Sequence, residues 1–224
     1  MKPILVTNFL PEEVYKNICL FVNGLQFEDG KRTAKGKAKD LKNNLQGLVR
    51  SPKEHLSISN IISFMMATNL FQSYLYARRM STPMINKYQV GMSYDQHIDR
   101  AFMRDVRTDY SYTYFLSDPG DYQGGELEIA TGQNKPTTVK GEANSIVIYE
   151  SLQQHKVTEV TSGERVCMVG WIESSITSEE RRVSVRNLQD IQKKLGPILD
   201  ADQHQDIIVS LNLEIQKILR FLSQ

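Results

Sequence analysis

The stretch YDQHIDRAF, residues 94–102, sets His97 and Asp99 two positions apart with an aromatic residue on either side. Residues i and i+2 of an extended segment point to one face, so this imidazole and this carboxylate could bind a metal together while Ile98 faces away. An isolated H-x-D triplet is also an ordinary surface sequence. Its meaning depends on what other ligands the chain can supply.

The chain has four histidines. His55, in SPKEHLSISN, and His204, in DADQHQD, lie among polar residues and read as exposed. His155 follows the apolar run SIVIYES and precedes a second run, RVCMVGW, so it lies near the end of a late strand and could face the H-x-D strand across a barrel. Two imidazoles and one carboxylate form the facial triad that holds Fe(II) and leaves adjacent positions open for a cosubstrate and oxygen. Ten residues past His155, Arg165 opens RVCMVGW. A 2-oxoglutarate-type cosubstrate that chelates a metal through its keto-acid end needs a cation for its far carboxylate, and arginine offers a bidentate fork. Two other readings of these residues stay open: a zinc hydrolase with the same ligands, and a non-catalytic jelly-roll module that only senses a ligand.

These residues need a frame. Between residues 84 and 172, short runs rich in Ile, Val, Tyr, Phe and Thr alternate with Asp-Pro-Gly, Gly-Gly, Thr-Gly and Ser-Gly turn signals, the pattern of an antiparallel sandwich or barrel. Before it, ILVTNFL reads as a strand and Pro11-Glu12-Glu13 as a helix start; a helix covering a sheet is expected from Ser57 to about Met80. Residues 29–44 carry six Lys and Arg between 31 and 42, either as a solvated loop or as a basic lip over a site. After Thr177 two helices are expected, one opening at a serine cap and stopping at Gly196, the other over roughly 202–222. The expected organisation is supporting elements in 1–80, a β core in 81–177 and packed helices in 178–224.

The composition excludes several classes. With 27 Lys and Arg against 26 Asp and Glu, no global field favours nucleic acid or an anionic membrane. Cys19 and Cys167 sit in apolar contexts without zinc-ligand spacing and read as reduced thiols of a cytoplasmic protein. No apolar run reaches transmembrane length, and the first residues lack the features of a signal peptide. Oligomeric state is not legible.

Five segments carry a family resemblance: FEDGKRTAKGKAKDLKNNLQ, STPMINKYQVGMSYDQHID, VRTDYSYTYFLSDPGDYQGGELEI, IVIYESLQQHKVTEVTSGERV and WIESSI. The sequence resembles the Fe(II)- and 2-oxoglutarate-dependent dioxygenases of the prolyl 4-hydroxylase-like superfamily, and within it the bacterial PKHD-type hydroxylases associated with iron uptake. The resemblance implies a mainly β, α+β fold with a double-stranded β-helix (jelly roll) core and flanking helices. It implies His97, Asp99 and His155 as iron ligands, Arg165 as the 2-oxoglutarate anchor, and Tyr88 as a second contact to that cosubstrate, with L-ascorbate as a candidate cofactor. It further implies O2-dependent hydroxylation of a prolyl or other amino-acid residue in a peptide or protein, or of a small iron-chelating molecule, with release of succinate and carbon dioxide. The chain departs from the family at Tyr149-Glu150-Ser151, where Tyr-Pro-Ser is usual, and at Thr161-Ser162-Gly163, where Thr-Arg-Gly is usual; both changes bear on substrate choice.

Overall fold

The computed structural model describes residues 2–33, 38–132, 135–198 and 201–222. Two compact units are present: residues 1–67 with 79–173, and residues 68–78 with 174–224.

The first unit is built on two antiparallel sheets. In the larger, strands follow the order Ile4–Val6, Ser145–Glu150, Tyr110–Phe115, Arg165–Ser174, Met84–Tyr88, Leu45–Gly47 and Phe27–Asp29. In the smaller the order is Thr137–Val139, Leu127–Ile129, His155–Val157, Ser93–His97 and Lys42–Asn43. Neither sheet closes on itself. Their facing sides bury one apolar cluster that includes Phe115, Val147 and Cys167 from the larger sheet and Leu127, Ile129 and Val157 from the smaller. Every residue of Tyr110–Phe115 is buried, because its alternate side chains face opposite sides and both sides are covered.

Helix Pro52–Met66 begins at a full capping box: Ser51 accepts from the Glu54 amide, and the Glu54 carboxylate accepts from the Ser51 amide. The expected long helix from Ser57 to Met80 is therefore shifted and cut. It ends near Ala67, a π-helical turn covers Leu70–Tyr74, and Ala77–Met80 is a strand. A continuous apolar run does not distinguish one helix from a helix and a strand. Residues 29–44 are likewise not all loop. A 3-10 turn spans Gly30–Thr33, a short helix Ala38–Leu41 and a strand Lys42–Asn43, while 34–37 lie outside the described residues.

Asn144 fastens the N-terminal segment to the larger sheet. It adopts a φ of 61°, donates from Nδ2 to the Leu10 carbonyl at 2.8 Å, and accepts through Oδ1 from the Leu10 amide at 3.2 Å and from the Tyr114 hydroxyl at 2.7 Å. Asn144→Ala would leave three buried groups without partners and place a Cβ-bearing apolar residue in the left-handed region. A loss of about 3 kcal/mol is expected in chemical denaturation. A change under about 1 kcal/mol would show that the amide contributes nothing net.

The second unit contains helices Glu179–Leu195 and Ala201–Leu222, matching the expected starts and stops, with Ser178 as the cap of the first. Val185 and Ile215 are buried, and Arg186 lies 5.5 Å from the centre of the Tyr74 ring. No helix among the described residues is long and apolar enough to cross a membrane.

Candidate metal centre

The smaller sheet brings the three expected ligands together. His155 opens its strand and lies directly opposite His97 on the neighbouring strand. The expectation that His155 faces the H-x-D strand across a barrel is corrected: the two histidines are side-by-side neighbours in one sheet, with ring centroids 4.2 Å apart. Strand Ser93–His97 ends before Asp99, so the carboxylate comes from the irregular segment that follows. One ligand atom from each of His97, Asp99 and His155 lies within 4.8 Å of the others, a spacing that could hold a metal ion.

Backbone carbonyls hold both imidazoles. His97 Nδ1 lies 2.7 Å from the Asp95 carbonyl and His155 Nδ1 lies 2.9 Å from the Gln153 carbonyl. A carbonyl can only accept, so each Nδ1 carries the proton and each Nε2 lone pair is left for a cation. Tyr94 stacks on His97 with centroids 3.7 Å apart, and Tyr149 meets His155 edge-on at 4.9 Å. Burial, followed by the neighbouring His155, pushes the His97 pKa down to about 4. The His97 imidazole is then neutral, as a ligand must be, down to mildly acidic pH.

Asp99 is fixed from behind. Its side chain is 8 % exposed, Oδ2 accepts from the Ser111 hydroxyl at 2.6 Å and lies 3.7 Å from His155 Nε2. Ser151 Oγ lies 2.8 Å from Ser111 Oγ, extending the network onto the strand that carries the Tyr149-Glu150-Ser151 departure. The serine of that triplet is joined through Ser111 to Asp99.

Arg165 lies inside the sandwich, 1 % exposed, opposite Tyr88 in register. Its guanidinium is 5.2 Å from the Tyr88 ring centre and 5.5 Å from that of Phe115, and Nη1 donates to Cys167 Sγ at 2.9 Å. Its Nε and Nη2 have no hydrogen-bond partner. A buried cation with unused donors is costly unless an anion arrives to meet it.

The other candidates fall elsewhere. His55 is exposed in the first turn of its helix; His204, expected to be exposed, is half-buried at a kink in the last helix. Arg107 and Asp109 form an ion pair at 2.7 Å, with Glu173 also within reach of Arg107. Among residues that sequence reasoning missed, Ser111 carried one signal: in YSYTYF it alternates with tyrosines and so faces the other side. Lys42, grouped with the basic lip, is instead 3 % exposed. It pairs with Tyr94, donates to Gln46 Oε1 at 3.2 Å, and has its pKa lowered to about 8 by burial. Asn44 is buried beside this strand, its side chain next to the Tyr88 hydroxyl.

Residues 83–173 match the model of the 2OG-Fe(II) oxygenase superfamily. A PKHD-type hydroxylase from Prochlorococcus marinus is 43 % identical over 157 residues, 70 % of each chain. Another from Idiomarina loihiensis is 32 % identical over 215 residues, 96 % of each chain. A prolyl hydroxylase from Trichoplax adhaerens, solved with a hypoxia inducible factor peptide fragment, aligns with a TM-score of 0.57 at 18 % identity, covering 77 % of this chain and 83 % of that one. That likeness shows the fold, the expected jelly roll with flanking helices. Such oxygenases use Fe(II), 2-oxoglutarate and O2. On the sequence relationships the chain belongs to the PKHD-type hydroxylases of the 2OG-Fe(II) oxygenase superfamily.

Proposed function

We propose that the chain hydroxylates an unactivated carbon of a peptidyl amino acid, a prolyl residue foremost, with release of succinate and carbon dioxide. The observation that carries the reading is a His-Asp-His donor cluster in the same sandwich interior as a buried guanidinium with unused donors. Two imidazoles and a carboxylate suit Fe(II) and leave coordination positions open. His97, Asp99 and His155 hold the metal in this reading; Arg165 holds the far carboxylate of 2-oxoglutarate, with Tyr88 beside it. Bound there, iron and cosubstrate supply oxygen activation and oxidation of a C–H bond.

The protein's own contribution is placement. The Asp95 and Gln153 carbonyls fix the imidazole tautomers, and Ser111 restrains the carboxylate. The apolar cluster around Phe115, Leu127 and Val160 keeps bulk water from the interior, which strengthens the pairing of Arg165 with an anion. L-Ascorbate enters as an auxiliary reductant with no residue assigned to it. Two unpaired thiols, Cys19 and Cys167, suit a reducing, cytoplasmic setting. A peptide substrate is favoured because the prolyl hydroxylase from Trichoplax adhaerens carries a peptide on a similar fold.

The test is anaerobic titration of the Fe(II)-loaded protein with 2-oxoglutarate, watching for the weak visible charge-transfer band, then admission of air and assay of succinate. A band, with succinate release accelerated by proline-containing peptides, is expected. Acceleration by ferric chelates instead of peptides would move the substrate to a small molecule. Absence of the band, or activity independent of oxygen, would sink the dioxygenase mechanism.

A further inference from the structure

Ser151 is 1 % exposed and stands where strand Ser145–Glu150 gives way to the turn that leads to His155. It is held twice: its amide donates to the Asp109 carbonyl at 3.2 Å, and its hydroxyl oxygen lies 2.8 Å from Ser111 Oγ. Ser111 is 2 % exposed, so neither hydroxyl turns to solvent. The residue before Ser151 does not share this setting. Glu150 pairs with Tyr110, one position along from the Ser111 and Tyr149 pair, and so faces the opposite side of the sheet.

The direction of the hydrogen bonds follows from counting protons. An ionised carboxylate only accepts, and a serine hydroxyl has one proton to give. Ser111 gives its proton to Asp99 Oδ2 at 2.6 Å, so in the contact between the serines Ser151 donates and Ser111 Oγ accepts. A hydroxyl that accepts one hydrogen bond becomes a stronger donor in the next, and the gain is larger away from water. Ser151 thereby tightens the hold on a carboxylate it does not touch.

The same turn holds a second ligand. Two residues past Ser151, the Gln153 carbonyl fixes His155 Nδ1 at 2.9 Å. Gln153 is itself fastened: its amide donates to the Glu150 carbonyl at 3.0 Å, its Nε2 donates to the Ala130 carbonyl at 3.0 Å, and its Oε1 accepts from the Glu150 amide at 3.2 Å. Asp99 and His155 come from distant parts of the chain, yet residues 151–154 bear on the orientation of both.

We propose that Ser151 is a positioning residue for the metal ligands: through Ser111, its hydroxyl sets the Asp99 carboxylate in the frame of the turn that orients His155. Two of the three ligands are then aligned before the cation arrives, which is what a tight site requires of the groups around it. The proposal rests on the reading of His97, Asp99 and His155 as the metal site.

The test measures Fe(II) affinity without oxygen, by chelator competition, for wild type, Ser151→Ala, Ser111→Ala and the double variant, with thermal melts of the metal-free proteins. Ser151→Ala is expected to weaken Fe(II) binding by ~10-fold, the low end of the range for groups behind metal ligands, and Ser111→Ala by more. The double variant should bind as Ser111→Ala does, because without Ser111 the Ser151 hydroxyl has no route to the carboxylate. Loss of one neutral hydrogen bond should lower the melting temperature by no more than ~4 °C in a chain of this size. Wild-type affinity in Ser151→Ala would overturn the proposal and leave the metal site standing. Additive losses in the double variant, or a Ser151→Ala chain that is unfolded or melts far lower, would overturn it in favour of a role in the fold. If wild type itself binds no Fe(II), the metal reading fails and the proposal fails with it.

Discussion

Asp99→Ala is expected to abolish succinate formation by loss of the metal while leaving the chain folded. The carboxylate supplies the only negative charge in the His97, Asp99, His155 donor set. Without it, two neutral imidazoles must hold a divalent cation in a half-buried site, and the loss in metal affinity should exceed the ~10–100-fold typical of changes to residues behind the ligands. Folding should tolerate the change. Ser111 loses one acceptor but keeps Ser151 Oγ at 2.8 Å, and no strand hydrogen bond depends on the Asp99 side chain. Chelator competition for Fe(II), run with a thermal melt of the metal-free protein, separates the two effects. Ser111→Ala serves as the graded comparison, with weaker metal binding than wild type and tighter binding than Asp99→Ala. Retained succinate formation by Asp99→Ala would remove the carboxylate from the metal site.

The second large effect is expected at Arg165. Arg165→Met keeps much of the side-chain volume and discards the fork, so the KM for 2-oxoglutarate should rise by about 100-fold or more, as when one partner of a buried charge pair is lost. Arg165→Lys should fall between, because an ammonium supplies charge without two parallel donors. The metal-free protein should change little in stability. The variant loses ring contacts to Tyr88 and Phe115, but it also removes a buried cation whose Nε and Nη2 are unsatisfied. Binding of Fe(II) alone, measured before cosubstrate is added, should match wild type. A normal KM in Arg165→Met would move the far-carboxylate anchor elsewhere, with Lys42 the next cation inside the sandwich.

Several features were set by local sequence alone. The cap at Ser178 and the stop at Gly196 follow from short-range chemistry, so the start and stop of that helix were legible. The dense turn signals between residues 84 and 172 announced an antiparallel β core, and the H-x-D pair, His155 and Arg165 could be picked out because few residue types meet the requirements of iron and a dicarboxylate. The run from Ser57 to Met80 was misjudged, because apolar periodicity does not say where a chain turns from helix to strand.

Only the tertiary structure decided which residues meet. Pairing of Ser93–His97 with His155–Val157 makes the two histidines neighbours, and no local pattern fixes which of several strands becomes the partner. Pairing of Lys42–Asn43 with the other side of the His97 strand carries Lys42 into the interior, where burial lowers its pKa to about 8. The unsatisfied Nε and Nη2 donors of Arg165 are invisible in sequence, since whether a polar group finds a partner depends on every element packed around it. Residue type and spacing marked out candidates for a metal site and a carboxylate anchor. Long-range strand pairing, which sets burial and the direction of each side chain, decided where those groups lie and which of their hydrogen bonds are left for a ligand.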